Sequence, residues 1–318
     1  MKSPRSQLGD GKTRLLRRFF RKLLSLRSLE PLVYTTSCMI NYEKYVKSFR
    51  KGLLHSLGME VVSSSHGFAA NKTSHESLLS LIISLRPRKT DLLLVRLGPH
   101  GDGGYLVPDD LDGIYSLFSP GVSSISGFEK DCAPMGMKVY MADRSVDAPA
   151  EAHESFEFTK KYIGCVDDES YMTLDAWVAE SVPANCEEDL ILQMDIEGSE
   201  FESILSTSTD LLRRFRVIVV EFHSLDQLWS RPFYDLASRA FAKLLQFHSC
   251  VHIHPNNCCG SLVCDGVEIP RIAEFTFLRN DRGVSTEYVL SLPSPLDEDN
   301  TSNPTLALPA VWLGGAQS

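Results

Sequence analysis

The sequence predicts an α/β fold built on a mostly parallel sheet. Through the middle of the chain, short apolar runs alternate with segments of helical periodicity, a pattern typical of parallel strands joined by crossover helices. The chain has 318 residues, of which 43% are hydrophobic and 23% charged, so it can bury a large core. No apolar run approaches the roughly 18 residues that a membrane-spanning helix needs.

The first 60 residues are strongly basic. They carry 13 Lys and Arg against 4 Asp and Glu, whereas the rest of the chain carries 19 against 37. Apolar residues recur at helical spacing among the arginines from Arg14 to Leu24, which predicts a basic amphipathic helix. Such a helix can contact a membrane surface, bind RNA or pack on the acidic body of its own chain, and the last is the simplest interpretation. The sequence carries no strong signal for nucleic acid.

The location predicted from the sequence is the cytoplasm. Arginines interrupt the N-terminal segment where a signal peptide needs an uninterrupted apolar core. The eight cysteines show no small-scaffold disulfide pattern and are most simply reduced thiols.

The body of the chain contains five predicted strands, each followed by a turn and most by a helix. The strands are Ile114–Phe118, Lys138–Ala142, Phe156–Ile163, Leu190–Met194 and Val217–Phe222, and the helices are Gly127–Met135, Leu174–Glu180, Ser199–Leu212 and Pro232–Gln246. Further on, Cys250–His254, Gly260–Cys264 and Glu274–Arg279 read as strands without intervening helices, which predicts an antiparallel C-terminal edge.

The composition divides the chain into three parts. Residues 1–88 form a basic, mainly helical extension and residues 89–285 form the α/β domain. Residues 286–318, rich in Pro, Ser, Asp and Asn, are predicted to be a loosely ordered tail.

The turn after the first strand contains a single well-placed glycine, Gly121, followed by small residues that include Ser123. A dinucleotide fold needs three glycines there so that the backbone can approach a pyrophosphate. The turn therefore disfavours nicotinamide and flavin dinucleotides. S-Adenosylmethionine has no phosphate, so one glycine with a few serines is enough for it.

Acidic residues follow two other strands. Asp143 ends the second strand, where a carboxylate can accept both hydroxyls of a ribose or simply stabilise a turn. Asp195 ends the fourth strand, ahead of Glu197 and Glu200. These three acids can form a site or merely cap the next helix and favour its first turn. Since parallel sheets bind ligands beyond the carboxyl ends of their strands, the three strand tips at Gly121, Asp143 and Asp195 together favour a site.

Three further residues can belong to a functional site or have a purely structural role. His223 follows the fifth strand and is either a structural histidine or a catalytic one. Asp102 and Tyr105 lie in a glycine-rich loop, where they can face a ligand or belong to a β-hairpin turn.

A metal site is not predicted. Cys250, His252 and His254 alternate and are expected to share one face of a strand, but their spacing matches no standard zinc finger or ribbon. We interpret them as part of a sheet face and its turn.

Taken together, these residues resemble the FkbM-type branch of S-adenosylmethionine-dependent methyltransferases. The resemblance covers residues 90–282. The motifs that carry it are Gln193–Glu200, Thr173–Asp175, Val220–His223, Arg96 with Gly101–Tyr105, His254–Asn257 and Ala273–Phe277.

The resemblance implies a Rossmann-like, seven-stranded sheet with S-adenosylmethionine across the strand tips, and methyl transfer to a hydroxyl of a small molecule or glycan. The alternative is a non-catalytic binding or regulatory module with the same fold. The residues expected to hold the cofactor are Gly121, Ser123, Glu129, Asp143 and Asp195. The residues expected to contact the acceptor are Asp102, Tyr105 and Glu200. The candidates for the catalytic base are Asp195, Glu197 and His223.

Overall fold

A seven-stranded sheet lies at the centre of the computed structural model, which describes residues 59–61, 69–122 and 125–315. The predicted basic N-terminal helix lies outside these residues. The strands are β1 (Met59–Val61), β2 (Ala69–Asn71), β3 (Arg88–Thr90), β4 (Leu94–Leu97), β5 (Tyr105–Pro108), β6 (Ser116–Pro120), β7 (Lys138–Ala142), β8 (Phe156–Thr159), β9 (Tyr162–Ile163), β10 (Tyr171–Met172), β11 (Leu190–Met194), β12 (Phe215–Phe222), β13 (His248–Pro255), β14 (Ser261–Cys264), β15 (Val267–Pro270), β16 (Ala273–Arg279) and β17 (Val284–Tyr288). The helices are α1 (His75–Leu85), α2 (Gly127–Cys132), α3 (Leu174–Ser181), α4 (Glu200–Ser206), α5 (Thr209–Arg214) and α6 (Arg231–Leu244), with 3₁₀ turns at Ala133–Met135, Leu225–Trp229 and Ala310–Trp312.

The strand order of the central sheet is β13–β16–β12–β11–β6–β7–β8. The five strands from β12 to β8 are mutually parallel, and β16 runs antiparallel to both of its neighbours. The predicted α/β fold with a mostly parallel, seven-stranded sheet is therefore confirmed. The antiparallel strand lies one place inside the edge, which β13 occupies, and β14 pairs only with β15 in a separate hairpin.

Two elements predicted as continuous are divided in the structure. The predicted helix Ser199–Leu212 is two helices, because Thr207 leaves the helical conformation and the Ser208 hydroxyl caps α5 by accepting a hydrogen bond from Leu211 N (3.2 Å). The predicted strand Phe156–Ile163 ends at Thr159. Its last two residues, β9, pair with β10 instead of extending the sheet.

Both faces of the sheet are covered, as a parallel sheet requires. Strands β6, β11 and β12 are buried along their whole length. On one face, Phe222, Phe241 and Phe275 pack against each other between β12, α6 and β16. Helix α1 adds Leu78 and Ile82 to the same core. The compact body thus begins before residue 89, the predicted domain boundary.

Strand β13 contains a bulge that changes which side chains share a face. The bulge lies between Cys250 and His252 and leaves Val251 without a partner on β16. As a result, Cys250 faces the apolar core, whereas His252 and His254 project from the opposite face. The expectation that these three residues share one face is therefore wrong.

The C-terminal strap, residues 289–315, packs against the body and differs from the predicted loose tail. Trp312 is 1% exposed and donates a hydrogen bond to Glu268 O (3.2 Å). Further along, Asp297 Oδ1 lies 2.8 Å from His252 Nε2, and both side chains are almost fully buried. A few buried anchors thus hold a segment of disorder-like composition.

None of the helices in the described part of the chain has the length and hydrophobicity needed to span a bilayer.

Candidate active site

The tips of β6 and β11 meet at one edge of the sheet through Gly121. This residue has φ = 91°, and its N–H donates to Ala142 O (2.9 Å) while Asp195 N–H donates to Pro120 O (3.2 Å). A Cβ atom at residue 121 would lie 1.6 Å from Asp195 O. Only glycine therefore allows the two strand tips to pass so closely.

A cleft of about 390 Å³ opens at this edge, within the usual range of small-molecule sites. It brings together three residues predicted to hold the cofactor, Gly121, Asp143 and Asp195. At the cleft wall, the Asp143 carboxylate accepts hydrogen bonds from Ser145 N–H and from the Ser145 hydroxyl, both at 2.7 Å. Ser123, also predicted here, lies outside the described residues.

The apolar side of this cleft was not predicted from the sequence. It is lined by Tyr162, Ile163 and Tyr171. All three lie on the short strand pair β9–β10, which follows β8 in the chain. The available signal was a tyrosine and an isoleucine at the end of the predicted strand Phe156–Ile163. Because the cleft combines this apolar wall with a carboxylate, it can hold both the base and the sugar of a nucleoside.

A smaller cavity of about 110 Å³ lies on the other side of Asp195. Asp102 and Tyr105, the predicted acceptor contacts, line it together with Glu129. Tyr105 is buried, and this burial together with the charges of nearby carboxylates raises its pKa well above the ordinary value. Its hydroxyl therefore stays protonated. Gly121 and Asp195 line both cavities, so they lie at the junction between them.

Glu129 belongs to a buried hydrogen-bond chain rather than to the larger cleft. The Ser119 hydroxyl contacts the Glu129 carboxyl and lies 2.7 Å from Gln193 Oε1. A hydroxyl has one hydrogen, so both contacts are satisfied when Glu129 is protonated and donates to Ser119. Burial raises the pKa of Glu129 in this direction, against the opposing effect of the Ser119 hydrogen bond. The predicted cofactor residue therefore stabilises the floor of the smaller cavity.

His223, at the end of β12, lies among carboxylates from the tip of β11. Its Nε2 atom is 3.4 Å from Glu197 Oε2, 3.9 Å from Asp195 Oδ1 and 3.7 Å from Glu221 Oε1. The three candidates for the catalytic base are thus brought together by two neighbouring parallel strands. Glu221 was not among the predicted site residues, although it lies in the same strand-end motif as His223.

Glu200 lies beneath this group and outside both cavities. Its side chain is fully buried, and Oε1 accepts hydrogen bonds from Ile196 N (3.3 Å) and Gly198 N (2.9 Å). The same oxygen lies 3.1 Å from His223 Nδ1. The structure therefore reassigns Glu200 from acceptor contact to positioning of His223.

The environment separates the proton affinities of Asp195 and His223. Burial, with repulsion from Glu197 and Glu200, raises the pKa of Asp195 to about 7 despite the opposing charge of His223. Burial lowers the pKa of His223, but the Glu200 hydrogen bond and the surrounding carboxylates outweigh it and raise the pKa to about 9. At neutral pH, Asp195 is the better base of the two.

A buried pair of acids, Glu221 and Glu274, lies next to the site and was not predicted from the sequence. Glu221 and Glu274 are paired across β12 and β16, and Asn256 Nδ2 donates to Glu221 Oε1 (3.2 Å). Asn300, from the C-terminal strap, donates to Glu274 Oε1 (2.7 Å). Burial raises the pKa of Glu221 to about 9 and that of Glu274 to about 8. The available signals were the position of these acids in apolar strands and within two of the motifs that carry the resemblance, Val220–His223 and Ala273–Phe277.

Part of the chain is similar to a known protein family. Residues 132–251 match the family model described as "Methyltransferase FkbM domain". The resemblance predicted from the sequence is confirmed over this region. The matched region of the FkbM domain contains Asp143, Asp195 and His223 and supports methyl transfer as the class of reaction. Gly121 precedes it.

Several solved methyltransferase structures are similar to parts of the structure. It is similar to the N-methyltransferase NodS from Bradyrhizobium japonicum WM9 (9% identity, TM-score 0.28), over 53% of this chain and 87% of that one. A putative methyltransferase from Thermoplasma acidophilum is 10% identical, with a TM-score of 0.31, over 58% of this chain and 82% of that one. A mutant of the 16S rRNA (adenine(1408)-N(1))-methyltransferase from Catenulisporales acidiphilia is 11% identical, with a TM-score of 0.27, over 60% of this chain and 98% of that one. No curated protein sequence matches the chain.

Proposed function

We propose that this protein transfers the methyl group of S-adenosylmethionine to a hydroxyl oxygen of a small molecule or sugar. The observation that carries the proposal is the junction at Asp195, between a nucleoside-sized cleft and a smaller polar cavity, within a chain that matches the FkbM domain. A donor and an acceptor in these two cavities would meet at one carboxylate.

The residues of the larger cleft fit S-adenosylmethionine. Gly121 presents backbone without a side chain, and Asp143 offers a carboxylate for ribose hydroxyls. Ile163 and Tyr171 offer an apolar wall for the adenine ring. When bound, the cofactor supplies a methyl group on a sulfonium, which an acceptor oxygen takes by in-line displacement.

The chain's own contribution is alignment and proton removal. Asp195 accepts the hydroxyl proton of the acceptor as the oxygen–methyl bond forms, and its negative charge also favours the cationic donor. Its raised pKa, about 7, suits this exchange near neutral pH. Tyr105, which stays protonated, can donate a hydrogen bond to the acceptor.

Calorimetric titration of the full chain with S-adenosylhomocysteine tests the donor site. We expect Asp143→Ala to weaken binding at least about tenfold, because a ribose hydroxyl would lose a charged hydrogen-bond acceptor. The control is Asp147→Ala, since Asp147 lies on the same loop but is 96% exposed and pairs only with Lys160 among the described residues.

Equal affinities of Asp143→Ala and the unchanged chain would contradict the assignment of Asp143. No binding to the unchanged chain at millimolar ligand would contradict the proposed activity and favour a non-catalytic module with the same fold.

A further inference from the structure

We propose that Asp195, Glu197 and His223 bind a divalent cation, and that this cation holds the acceptor hydroxyl beside Asp195. Binding of the cation is inferred from the arrangement of these three side chains alone, whereas its action on the acceptor rests on the proposed function.

The three ligand atoms converge from two neighbouring strand ends. His223 Nε2 is 3.4 Å from Glu197 Oε2 and 3.9 Å from Asp195 Oδ1, and all three atoms lie within 4.8 Å of one another. Ligands about 2.1 Å from one cation lie about 3.0 to 3.4 Å apart, depending on the geometry. Small movements therefore suffice, and Glu197, whose side chain is 86% exposed, is free to make them.

The orientation of His223 is fixed from behind in the way that metal-binding histidines usually are. Its Nδ1 lies 3.1 Å from Glu200 Oε1, and that oxygen is itself held by two backbone N–H groups. With Nδ1 engaged by a buried carboxylate, the Nε2 lone pair of the deprotonated ring points toward Asp195 and Glu197.

The charge around His223 is not balanced by the protein. In the part of the chain that the structure describes, every ion pair made by Asp195, Glu197, Glu200 and Glu221 is with His223. In addition, Asp195 Oδ1 is buried from solvent and has no hydrogen-bond partner. A buried carboxylate oxygen without a donor is costly, and a cation beside it removes this cost.

One imidazole and two carboxylates favour a first-row cation such as Mn²⁺ over Mg²⁺, which prefers oxygen ligands alone. Three protein ligands leave coordination positions open, and adjacent hydroxyls of a sugar can fill two of them. When bound, the cation would lower the pKa of a coordinated hydroxyl and so ease its deprotonation.

Titration of the full chain with Mn²⁺, followed by the loss of the electron paramagnetic resonance signal of the free ion, tests the site without any methyl donor. We expect Glu197→Gln and His223→Ala each to weaken Mn²⁺ binding at least about tenfold. Glu197→Gln alters an exposed side chain and is expected to fold normally. The control is Glu202→Gln, an exposed acid in the first turn of α4 that is not among the three ligands.

Loss of binding in both ligand variants but not in the control would support the cation site. Unchanged Mn²⁺ affinity in Glu197→Gln, or no saturable binding to the unchanged chain, would overturn it. Two of the ligands, Asp195 and Glu197, also line the larger cleft. S-Adenosylhomocysteine binding is therefore measured on the same samples without added cation, so that a failure of the donor site is seen separately from a failure of the cation site.

Discussion

At the scale of single residues, side-chain carboxyl groups have different pKa values because their surroundings differ. Asp195 has one exposed flank and a histidine nearby, and its pKa is raised to about 7. Glu221 and Glu274 are more deeply buried and face each other, and their pKa values are raised to about 9 and about 8. The charge of the site therefore changes between pH 7 and pH 9.

This difference predicts how stability depends on pH. The pKa values of folded Glu221 and Glu274 lie above the ordinary 4.5, so the folded chain keeps protons that the unfolded chain has released. The stability that these protons provide is complete below pH 4.5 and is lost as the pH rises through about 8 and 9.

We expect the unfolding temperature to fall by several degrees between about pH 5 and 9. Glu274→Gln, which carries no titratable group, should flatten this dependence in thermal melts. The exposed Glu287→Gln should leave it unchanged. Identical pH profiles for Glu274→Gln and the unchanged chain would contradict the raised pKa.

At the scale of elements, the arrangement at the strand tips depends on how closely β6 and β11 approach. Gly121 combines a positive φ with the absence of a side chain beside Asp195 O. Gly136 has a similar φ, 85°, but a Cβ there would meet nothing within 4 Å. A comparison of substitutions at Gly121 and Gly136 therefore separates the effect of backbone strain from the effect of a steric clash.

We expect Gly121→Ala to lower the free energy of unfolding by at least about 3 kcal/mol, because strain and a steric clash act together. Gly136→Ala should cost about 1 kcal/mol from strain alone. Chemical denaturation measures both, and equal losses would show that the approach of the two strand tips is not limiting.

The elements also show what sequence patterns can and cannot predict. Strands β7 and β11 have the predicted bounds because each is an apolar run that ends in a carboxylate. The meeting of Gly121, Asp143 and Asp195 follows from parallel strands ending at one edge. The pairing of Glu221 with Glu274 depends instead on the register of strands about fifty residues apart, and the bulge in β13 depends on packing, neither of which is visible locally.

At the scale of the whole molecule, the C-terminal strap is part of the body. Asp297 is nearly buried beside His252, and although burial alone raises its pKa, the hydrogen bond and charge of the histidine lower it. Composition predicted a loose tail because it counts polar residues and prolines. It does not reveal that one aspartate and one tryptophan find buried partners.

We expect Asp297→Asn to lower the free energy of unfolding by about 2 kcal/mol, since a charged and buried hydrogen bond is lost. Limited proteolysis with mass spectrometry should then cut faster within residues 289–315. Asp281→Asn, at an exposed aspartate that pairs with Arg279, is the matched control. Equal cleavage of both variants would show that the His252 contact does not anchor the strap.

The strap has a consequence for how this protein can diversify. Asn300 holds Asp102, which lines the smaller cavity, and Glu274 together (3.2 Å and 2.7 Å), whereas the larger cleft is built from the tips of the central strands. On the proposed function, the strap therefore reaches the acceptor cavity through Asn300 and Asp102, whereas none of its described residues lines the larger cleft. Changes near the C-terminus can therefore alter the choice of acceptor while the donor site stays intact.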